Sequence, residues 1–358
     1  MFLKLRQGSR GLILLNLKYL LNFTKRKLII LFNRYMERIN YKELIEKYPW
    51  VVEKDHDCIL SPDSDGLLCG LFMAHYLNWK IRGYYDGKVL IVDKGVDLRE
   101  CVFLDMEIFR KEIRSVGHHM VLYNKNKKPE SWHNFENCVQ PNNLRDYDGA
   151  KNFPLKYPLA TIHLLIGILN SKFSIDISES AICPLLYTDG VFKNLFGYPE
   201  NCLDWLNYLG ANNKETALHQ IFHNDYYSIH DLMDALKDFF EKISNIGEGK
   251  RGNDKIKISN TKSELVNLEK SEDCYFINNE AKIKATKFIM ILSELTGWKY
   301  KENHWLWSGF KVIKFEKSKI KPNNKNFEFL LSKNPLSWAM TSGLDIEYTL
   351  DPDNLLLK

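Results

Sequence analysis

Short apolar runs alternate with helical segments along the first half of the chain, and this alternation restricts the fold more than any other feature. The runs "CIL" at 58–60, "KVLIV" at 88–92 and "CVFLDM" at 101–106 are rich in apolar and β-branched residues, and "GHHMVLY" at 117–123 ends in another. A helical pattern, "GLLCGLFMAHYL", follows the first run. Strands about 15 to 30 residues apart, joined by helices or long turns, predict an α/β fold with a doubly wound, mainly parallel sheet.

The remaining apolar pattern predicts the division into domains. A helical stretch ends near residue 245, and residues 246–272 contain almost no aromatic or bulky apolar side chains, which predicts a linker. Residues 273–358 combine a helical pattern with the alternating aromatic and basic residues of "WKYKENHWLWSGFKVIKFEKSKIK". We therefore expect a first domain at 46–245 and a smaller α+β C-terminal domain at 273–358, which is a candidate for substrate binding.

The N-terminal segment, residues 1–45, is apolar and basic and is expected to be helical. Its first 36 residues hold eight basic side chains and no acidic one, so with a net charge of +5 the rest of the chain carries −3. Bulk charge therefore gives no argument for nucleic-acid binding. Lys18 and the basic residues at 25–27 interrupt the apolar stretch before it reaches the ~18 residues of a membrane span.

Three interpretations of this segment remain open. It is an amphipathic helix docked on the body, an extension upstream of a start at Met36, or a helix for membrane-surface contact or targeting. The seven cysteines include no CxxC pair, which indicates free thiols in a reducing compartment and predicts a cytoplasmic location. The sequence does not indicate the oligomeric state.

Carboxylates and imidazoles occur where the predicted apolar runs begin or end. They are Asp63 and Asp65 after the first run, Asp105 in "VFLD", His118 and His119 in "GHH", and Asp189 at the end of "PLLYTD". Ligands of open α/β sheets gather beyond the carboxyl ends of the strands. Oxygen and imidazole donors at one such edge suit divalent cations such as Mn²⁺ or Mg²⁺, and a pair of these ions can activate water for attack on a phosphoryl group.

At these residues the chain resembles the DHH phosphoesterase superfamily. "SPDSDG", "VFLD", "SVGHHM" and "LYTDG" stand in the order of that superfamily's four motifs, over about residues 55–195. The loop "VQPNNLRDYDGAKNFPLKYPLAT" looks most like the RecJ-type single-stranded-DNA exonuclease branch. The resemblance implies a hydrolase that cleaves phosphodiester bonds in single-stranded nucleic acid or short oligonucleotides. A phosphatase or cyclic-dinucleotide phosphodiesterase of the same fold, and a catalytically weakened binding protein, are the alternatives.

The resemblance also implies a role for each motif residue. Two ions, Mn²⁺ or Mg²⁺, would be bound, one by Asp63 and the other by Asp65. Asp105 would bridge them, His118 and Asp189 would complete the second site, and His119 would contact the bridging oxygen or the scissile phosphate. Of these, Asp105 and His119 are the expected catalytic residues.

Two positions depart from the superfamily pattern. The histidine usually found four residues before the first motif aspartate is Ile59, and the aspartate of the D-H-H triplet is Gly117. Ile59 cannot bind a metal, and Gly117 lacks a carboxylate that could orient a histidine. The sequence therefore leaves open whether one ion or two bind.

Each candidate also has a structural interpretation. Asp63 and Asp65 could cap a helix, Asp105 could end a strand in an ordinary turn, and Asp189 in "TDG" fits a tight turn, with Asp176 as the substitute ligand. His118 and His119 could be a core-facing and solvent-facing pair. His163, Trp305 and Lys311 are candidate substrate contacts, although a buried helix histidine and a half-buried strand give the same patterns.

Overall fold

The computed structural model describes residues 38–247, 253–340 and 343–357, and two β-sheets organise them. The nine strands of the large sheet in these ranges are β1 (Asp57–Leu60), β2 (Lys80–Tyr85), β3 (Val89–Asp93), β4 (Val102–Leu104), β5 (Arg114–Val116), β6 (Cys138–Val139), β7 (Leu268–Ser271), β8 (Cys274–Ile277) and β9 (Ser308–Lys314). The three strands of the small sheet are β10 (Glu316–Ile320), β11 (Ser337–Met340) and β12 (Ile346–Leu350).

α-Helices lie in the connections β1–β2, β6–β7, β8–β9 and β10–β11, and one precedes β1. The α-helices of the described ranges are α1 (Tyr41–Lys47), α2 (Ser64–Leu77), α3 (Pro141–Leu144), α4 (Gly149–Asn152), α5 (Thr161–Asn170), α6 (Glu179–Tyr187), α7 (Val191–Gly197), α8 (Pro199–Tyr208), α9 (Ala217–Phe222), α10 (Ile229–Ser244), α11 (Asn279–Thr296) and α12 (Asn324–Ser332). Short 3₁₀ helices lie at Pro49–Val52, Lys125–Lys127, Glu130–Phe135, Phe153–Leu155, Thr188–Gly190, Glu302–His304 and Leu355–Leu357.

The large sheet has a parallel half and an antiparallel half. Its order is β6-β5-β4-β1-β2-β3-β9-β8-β7, and the pairings from β6 to β2 are parallel. The pairings from β2 to β7 are antiparallel. The predicted α/β class is therefore confirmed, but parallel pairing covers one half of the sheet. The difference arises because β2, which the sequence analysis missed, turns directly into β3 at residues 86–88 without a crossover helix.

The two faces of the large sheet are covered differently. Along β1, Cys58 and Leu60 pack in the main core with α2 and α5, while Ile59 points into a second cluster on the other face. The buried residues of that second cluster, among those the structure describes, come from strands and loops and from Leu356, and none lies in an α-helix. Helices therefore cover one face, and loops with the C-terminal residues cover the face on which a doubly wound sheet would carry further helices.

The predicted boundary at 246–272 does not separate two sheets. β7 begins inside the predicted linker, and β7, β8 and β9 extend the large sheet through the β3–β9 pairing. Ile256 and Ile258 are buried in the main core, and the Ile256 backbone N–H donates to the carbonyl of Pro62 at 2.7 Å. The polar composition of the segment did not predict this packing, because two buried isoleucines at alternate positions are enough to hold a polar segment against the core. The smaller unit is the three-stranded sheet at 316–350, which packs on Phe109 and Trp132.

The N-terminal prediction falls mainly outside the described residues. Residues 1–37 are not described, so the three interpretations of that segment remain predictions, and the described chain reaches its first helix at α1. Within the ranges given above, every helix is too short or too polar to cross a lipid bilayer. Of the seven cysteines, which are unpaired, six are buried, as expected for small apolar side chains.

Candidate metal centre

The carboxyl ends of three adjacent parallel strands meet at one edge of the large sheet. Asp105 directly follows β4, His118 and His119 follow β5 after a single glycine, and residues 61–65 connect β1 to α2. Because β5, β4 and β1 are neighbours, these side chains converge. The predicted strand at 117–123 is wrong, because the observed strand β5 ends at Val116. Since β5 lies just before the histidines, they are still found at a strand end.

Four of the predicted residues form a compact donor group. Asp105, His118, His119 and Asp189 each offer one ligand atom, and these atoms all lie within 4.8 Å of one another. His118 Nε2 is 3.2 Å from Asp189 Oδ2, and its Nδ1 is 3.8 Å from Asp105 Oδ1. Asp176, the substitute ligand, is exposed and lies outside the group.

Asp189 reaches the group from a helix end. "PLLY" belongs to α6, not to a strand, and Thr188–Gly190 forms a 3₁₀ turn between α6 and α7. Asp189 has φ 50° and Asp105 has φ 60°, both in the left-handed region that side chains other than Asn and Asp rarely adopt. Two carboxylates of one cluster thus sit on uncommon backbone conformations, which is typical of functional sites.

Thr161, at the start of α5, sets the orientation of His118. The Thr161 hydroxyl donates to Asp105 Oδ1 at 2.7 Å and lies 2.8 Å from His118 Nδ1. A hydroxyl has a single proton, so with Asp105 ionised the histidine must donate through Nδ1. The Nε2 lone pair then faces the Asp189 carboxylate, an arrangement that a cation between them would stabilise.

Asp63 and Asp65 cap two different helices. Asp63 is the N-cap of α2, and its Oδ1 accepts from the Gly66 N–H at 3.2 Å. Asp65 is fully buried, and its two oxygens accept from the backbone N–H groups of Thr161 and Ile162, at 2.7 and 3.1 Å. Neither belongs to the four-residue donor group. The capping interpretation therefore describes both residues, and Asp65 caps α5 rather than its own helix.

Ile59 lies in an apolar cluster and offers no donor atom to a first metal site. The side chain is fully buried in the second core cluster, with Tyr85 and Phe103. The described donors thus gather around one point, and the structure offers a ligand set for one ion at this place. A second ion remains a prediction that depends on Asp63 and Asp65.

The donor group fits a divalent cation by two observations. Asp105 Oδ2 is buried without a hydrogen-bond partner, which a bound ion would correct. Two carboxylates with two imidazoles are also the donor types that Mn²⁺ and similar borderline ions accept.

Burial and the repulsion between like charges shift the pKa values of the side chains at this edge of the sheet. Burial raises the pKa of Asp105 well above its usual range, and the carboxylates of Asp65 and Asp63 raise it further. Burial followed by repulsion from Asp189 raises the pKa of Asp65 to about 7. Burial and the adjacent His119 lower the pKa of His118, so its ring is neutral at pH 7 and Nε2 can bind a cation.

Glu107 is a site residue that the sequence analysis missed. Its carboxylate is 2% exposed, lies 3.5 Å from His119 Nδ1 and accepts the Met120 N–H at 2.8 Å. Burial lowers the pKa of His119, but Glu107 and Asp189 outweigh it and raise the pKa to about 9. The sequence holds one signal for Glu107, its position two residues after Asp105. Thr161 offered none, because its contacts span 43 and 56 residues of chain.

A cavity of about 780 Å³ opens beside the donor group. Asp63, Glu107 and His119 line it together with residues of the 255–267 segment and of the small sheet. Its lining also holds four lysines and three further polar groups of opposite charge, namely Lys88, Lys255, Lys257 and Lys317 beside Asp86, Glu347 and the Glu107 carboxylate. The volume falls in the range of small-molecule sites, and the lining carries charges of both signs.

The three predicted substrate contacts lie elsewhere. His163 is fully buried in α5, where its Nδ1 accepts the Ala160 N–H, and burial lowers its pKa to about 4. Trp305 is buried in the main core against Trp307 and Tyr300. Lys311 lies in β9 opposite Val92, outside the cavity lining. The aromatic and basic alternation of this region therefore reflects a half-buried strand.

Comparisons with protein-family models, with curated proteins and with solved structures found no match to this chain. The superfamily resemblance therefore rests on the four motifs and their order.

Mn²⁺ affinity should rise as the pH increases towards about 9, because the raised pKa values of Asp105 and His119 mean that an ion competes with protons at both ligands. Below these pKa values protons compete with Mn²⁺ for the ligand side chains, and above them this competition disappears. Each displaced proton changes the affinity by up to about tenfold per pH unit. Calorimetric titration of Mn²⁺ in PIPES and in HEPES would measure the protons released. An affinity independent of pH would contradict this electrostatic account.

Proposed function

We propose that this protein is a metal-dependent phosphoesterase that hydrolyses phosphodiester bonds in short oligonucleotides or single-stranded nucleic acid. The observation that carries the proposal is the donor group of Asp105, His118, His119 and Asp189, within 4.8 Å of one another at the carboxyl ends of β4 and β5. A cavity beside it has room for a small substrate, and the exposed Lys255 and Lys257 in its lining could contact phosphates.

The residues around the donor group have distinct roles in this proposal. An ion bound by the four donors would supply Lewis-acid chemistry and lower the pKa of water at neutral pH. Thr161 orients His118 and Asp105 through its hydroxyl. His119 is the one of the four donors that lines the cavity, so it stands between the ion site and the substrate. Its raised pKa means that the ion must displace a proton from this ring in order to bind it.

The cavity narrows the expected substrate. Its lining includes Lys255 and Lys257, both exposed and therefore able to contact a phosphate backbone. A cavity of about 780 Å³ suits a few nucleotides, so we expect short oligonucleotides to be better substrates than long strands.

The test is Mn²⁺-dependent hydrolysis of bis(p-nitrophenyl) phosphate and of labelled single-stranded oligonucleotides of two to twenty nucleotides. We expect the protein to hydrolyse both substrates. EDTA should abolish this activity, and added Mn²⁺ should restore it. If folded protein binds Mn²⁺ but hydrolyses neither substrate, the proposed enzymatic function is refuted. That result would instead favour the second candidate, a non-catalytic nucleotide-binding protein, which Ile59 and the capping role of Asp65 support.

Replacing both Lys255 and Lys257 by Ala should raise the KM for an oligonucleotide about tenfold and spare bis(p-nitrophenyl) phosphate, which has no further phosphates to contact. The slope of log KM against the logarithm of the salt concentration should also fall by about 1.4, since two phosphate contacts on a single strand contribute about 0.7 each. Lys270→Ala on the exposed strand β7 is the matched control, because Lys270 does not line the cavity. Equal effects on both substrates would place the two lysines outside the binding site.

A further inference from the structure

The side chain of Glu107 occupies the space that a side chain at Gly117 would need. A β-carbon at Gly117 would lie 2.6 Å from Glu107 Oε2, 2.7 Å from its Cδ and 2.9 Å from its Cγ. Gly117 is not among the residues with positive φ, so the backbone there does not demand glycine. What glycine provides at 117 is room for the carboxylate of Glu107.

We infer that Glu107 supplies, from the end of β4, the carboxylate that orients His119, and that Glu107 and Gly117 form a matched pair. One carboxylate oxygen accepts the Met120 N–H at 2.8 Å, which fixes the backbone just after the two histidines. The other lies 3.5 Å from His119 Nδ1. Glu107 is therefore a positioning residue, since it acts through His119 and the 117–120 turn.

Both oxygens of the carboxylate are needed for this role. Met120 is 1% exposed and His119 Nδ1 is buried, so both partners of the carboxylate are shielded from solvent. An amide in the same place has only one acceptor and must leave one of the two partners unsatisfied. Carboxylates that contact a metal-binding histidine in this way typically change metal affinity or activity 10- to 100-fold when removed.

The pairing can be tested by moving the carboxylate. Glu107→Ala removes a CH₂–COO⁻ group from position 107, and Gly117→Asp adds the same group at position 117. Each single change should lower the Tm of the ion-free protein by about 5 °C, the first through an unsatisfied buried N–H and the second through overlap with Glu107. The double variant E107A/G117D should recover most of this loss.

The chemical nature of the group is tested by a neutral counterpart. E107A/G117N fills the same space with an amide, so a role in packing alone predicts equal recovery by Asn and Asp. We expect Asp to recover both the Tm and the Mn²⁺ affinity, measured by calorimetry with Mn²⁺ alone, and Asn to leave the affinity about tenfold or more below wild type. Glu112→Ala, at an exposed glutamate, is the matched single control and should change neither.

Two outcomes would overturn the inference. Equal recovery by Asn and Asp would reduce Glu107 to a filler of space, and failure of both doubles to recover the Tm would show that positions 107 and 117 do not exchange roles. The Mn²⁺ measurement rests on the proposed metal centre, whereas the Tm measurements do not. A wild-type protein that binds no Mn²⁺ would therefore refute the metal centre, and the Tm comparison would still decide the pairing.

Discussion

Asp105→Asn should abolish most Mn²⁺ binding and lower kcat for bis(p-nitrophenyl) phosphate by about 10³-fold. Asp105 is 1% exposed, lies 3.8 and 3.9 Å from the two histidines, and has one oxygen without a partner. The change removes a negative charge from the donor group, and loss of about 4 kcal/mol of metal-dependent stabilisation corresponds to that factor. Calorimetry with Mn²⁺ and steady-state kinetics would measure the two effects.

Asn is the right replacement because it should leave the fold intact. It has nearly the shape of Asp, tolerates the φ of 60° at this position, and can still accept the Thr161 hydroxyl. Asp57→Asn is the matched control, since Asp57 begins β1 at the opposite end of the strands and pairs with Arg82. Wild-type Mn²⁺ affinity in folded Asp105→Asn protein would contradict the proposed ligand set.

The donor group was predictable because it depends on strand ends. Asp105 follows the apolar run that builds β4, and His118 and His119 follow the short strand β5, which was not predicted. The ends of parallel neighbours share an edge whatever the connections do. This explains why the prediction survived the misplaced strand at 117–123. Asp189 was found from its motif alone, because its helix-end position has no strand signal.

The supporting residues were not predictable in the same way. Thr161 and Glu107 act through contacts that join separate segments, and their own sequence surroundings carry no mark of those contacts. Trp305 shows the converse, because an aromatic and basic alternation is the pattern of a half-buried strand as well as of a nucleic-acid surface. The substrate cavity depends on the 255–267 segment, which its polar composition identified as a linker.

The fold shows the same division between local and long-range information. α2, β1 and β3 follow local periodicity and were predicted close to their observed positions. The antiparallel half of the large sheet depends on β3 pairing with β9, more than 200 residues away, and no local pattern states that two strands will pair. The predicted second domain therefore contributes two strands, β8 and β9, to the sheet of the first, and the predicted linker contributes β7.

Asp65→Ala should lower the free energy of unfolding of the ion-free protein by about 2–5 kcal/mol, whereas Asp63→Ala should lower it by about 1 kcal/mol. The two aspartates stand one residue apart but stabilise different parts of the molecule. Asp63 supplies an ordinary N-cap to α2 at a partly exposed position. Asp65 satisfies two buried N–H groups at the start of α5, which holds Thr161 in place beside Asp105 and His118.

Urea unfolding in EDTA would measure both variants without any contribution from bound metal, and Mn²⁺ titration of the folded proteins would follow. If Asp65 connects α2 to α5 as the hydrogen bonds indicate, its removal affects stability even in EDTA, and Mn²⁺ affinity falls because Thr161 no longer orients the donor group. Equal and small losses of stability for the two variants, with Mn²⁺ binding lost only in Asp65→Ala, would instead identify Asp65 as a direct metal ligand. That result would also restore the prediction of a second ion, because the carboxylate would then be held for a cation and not for the helix.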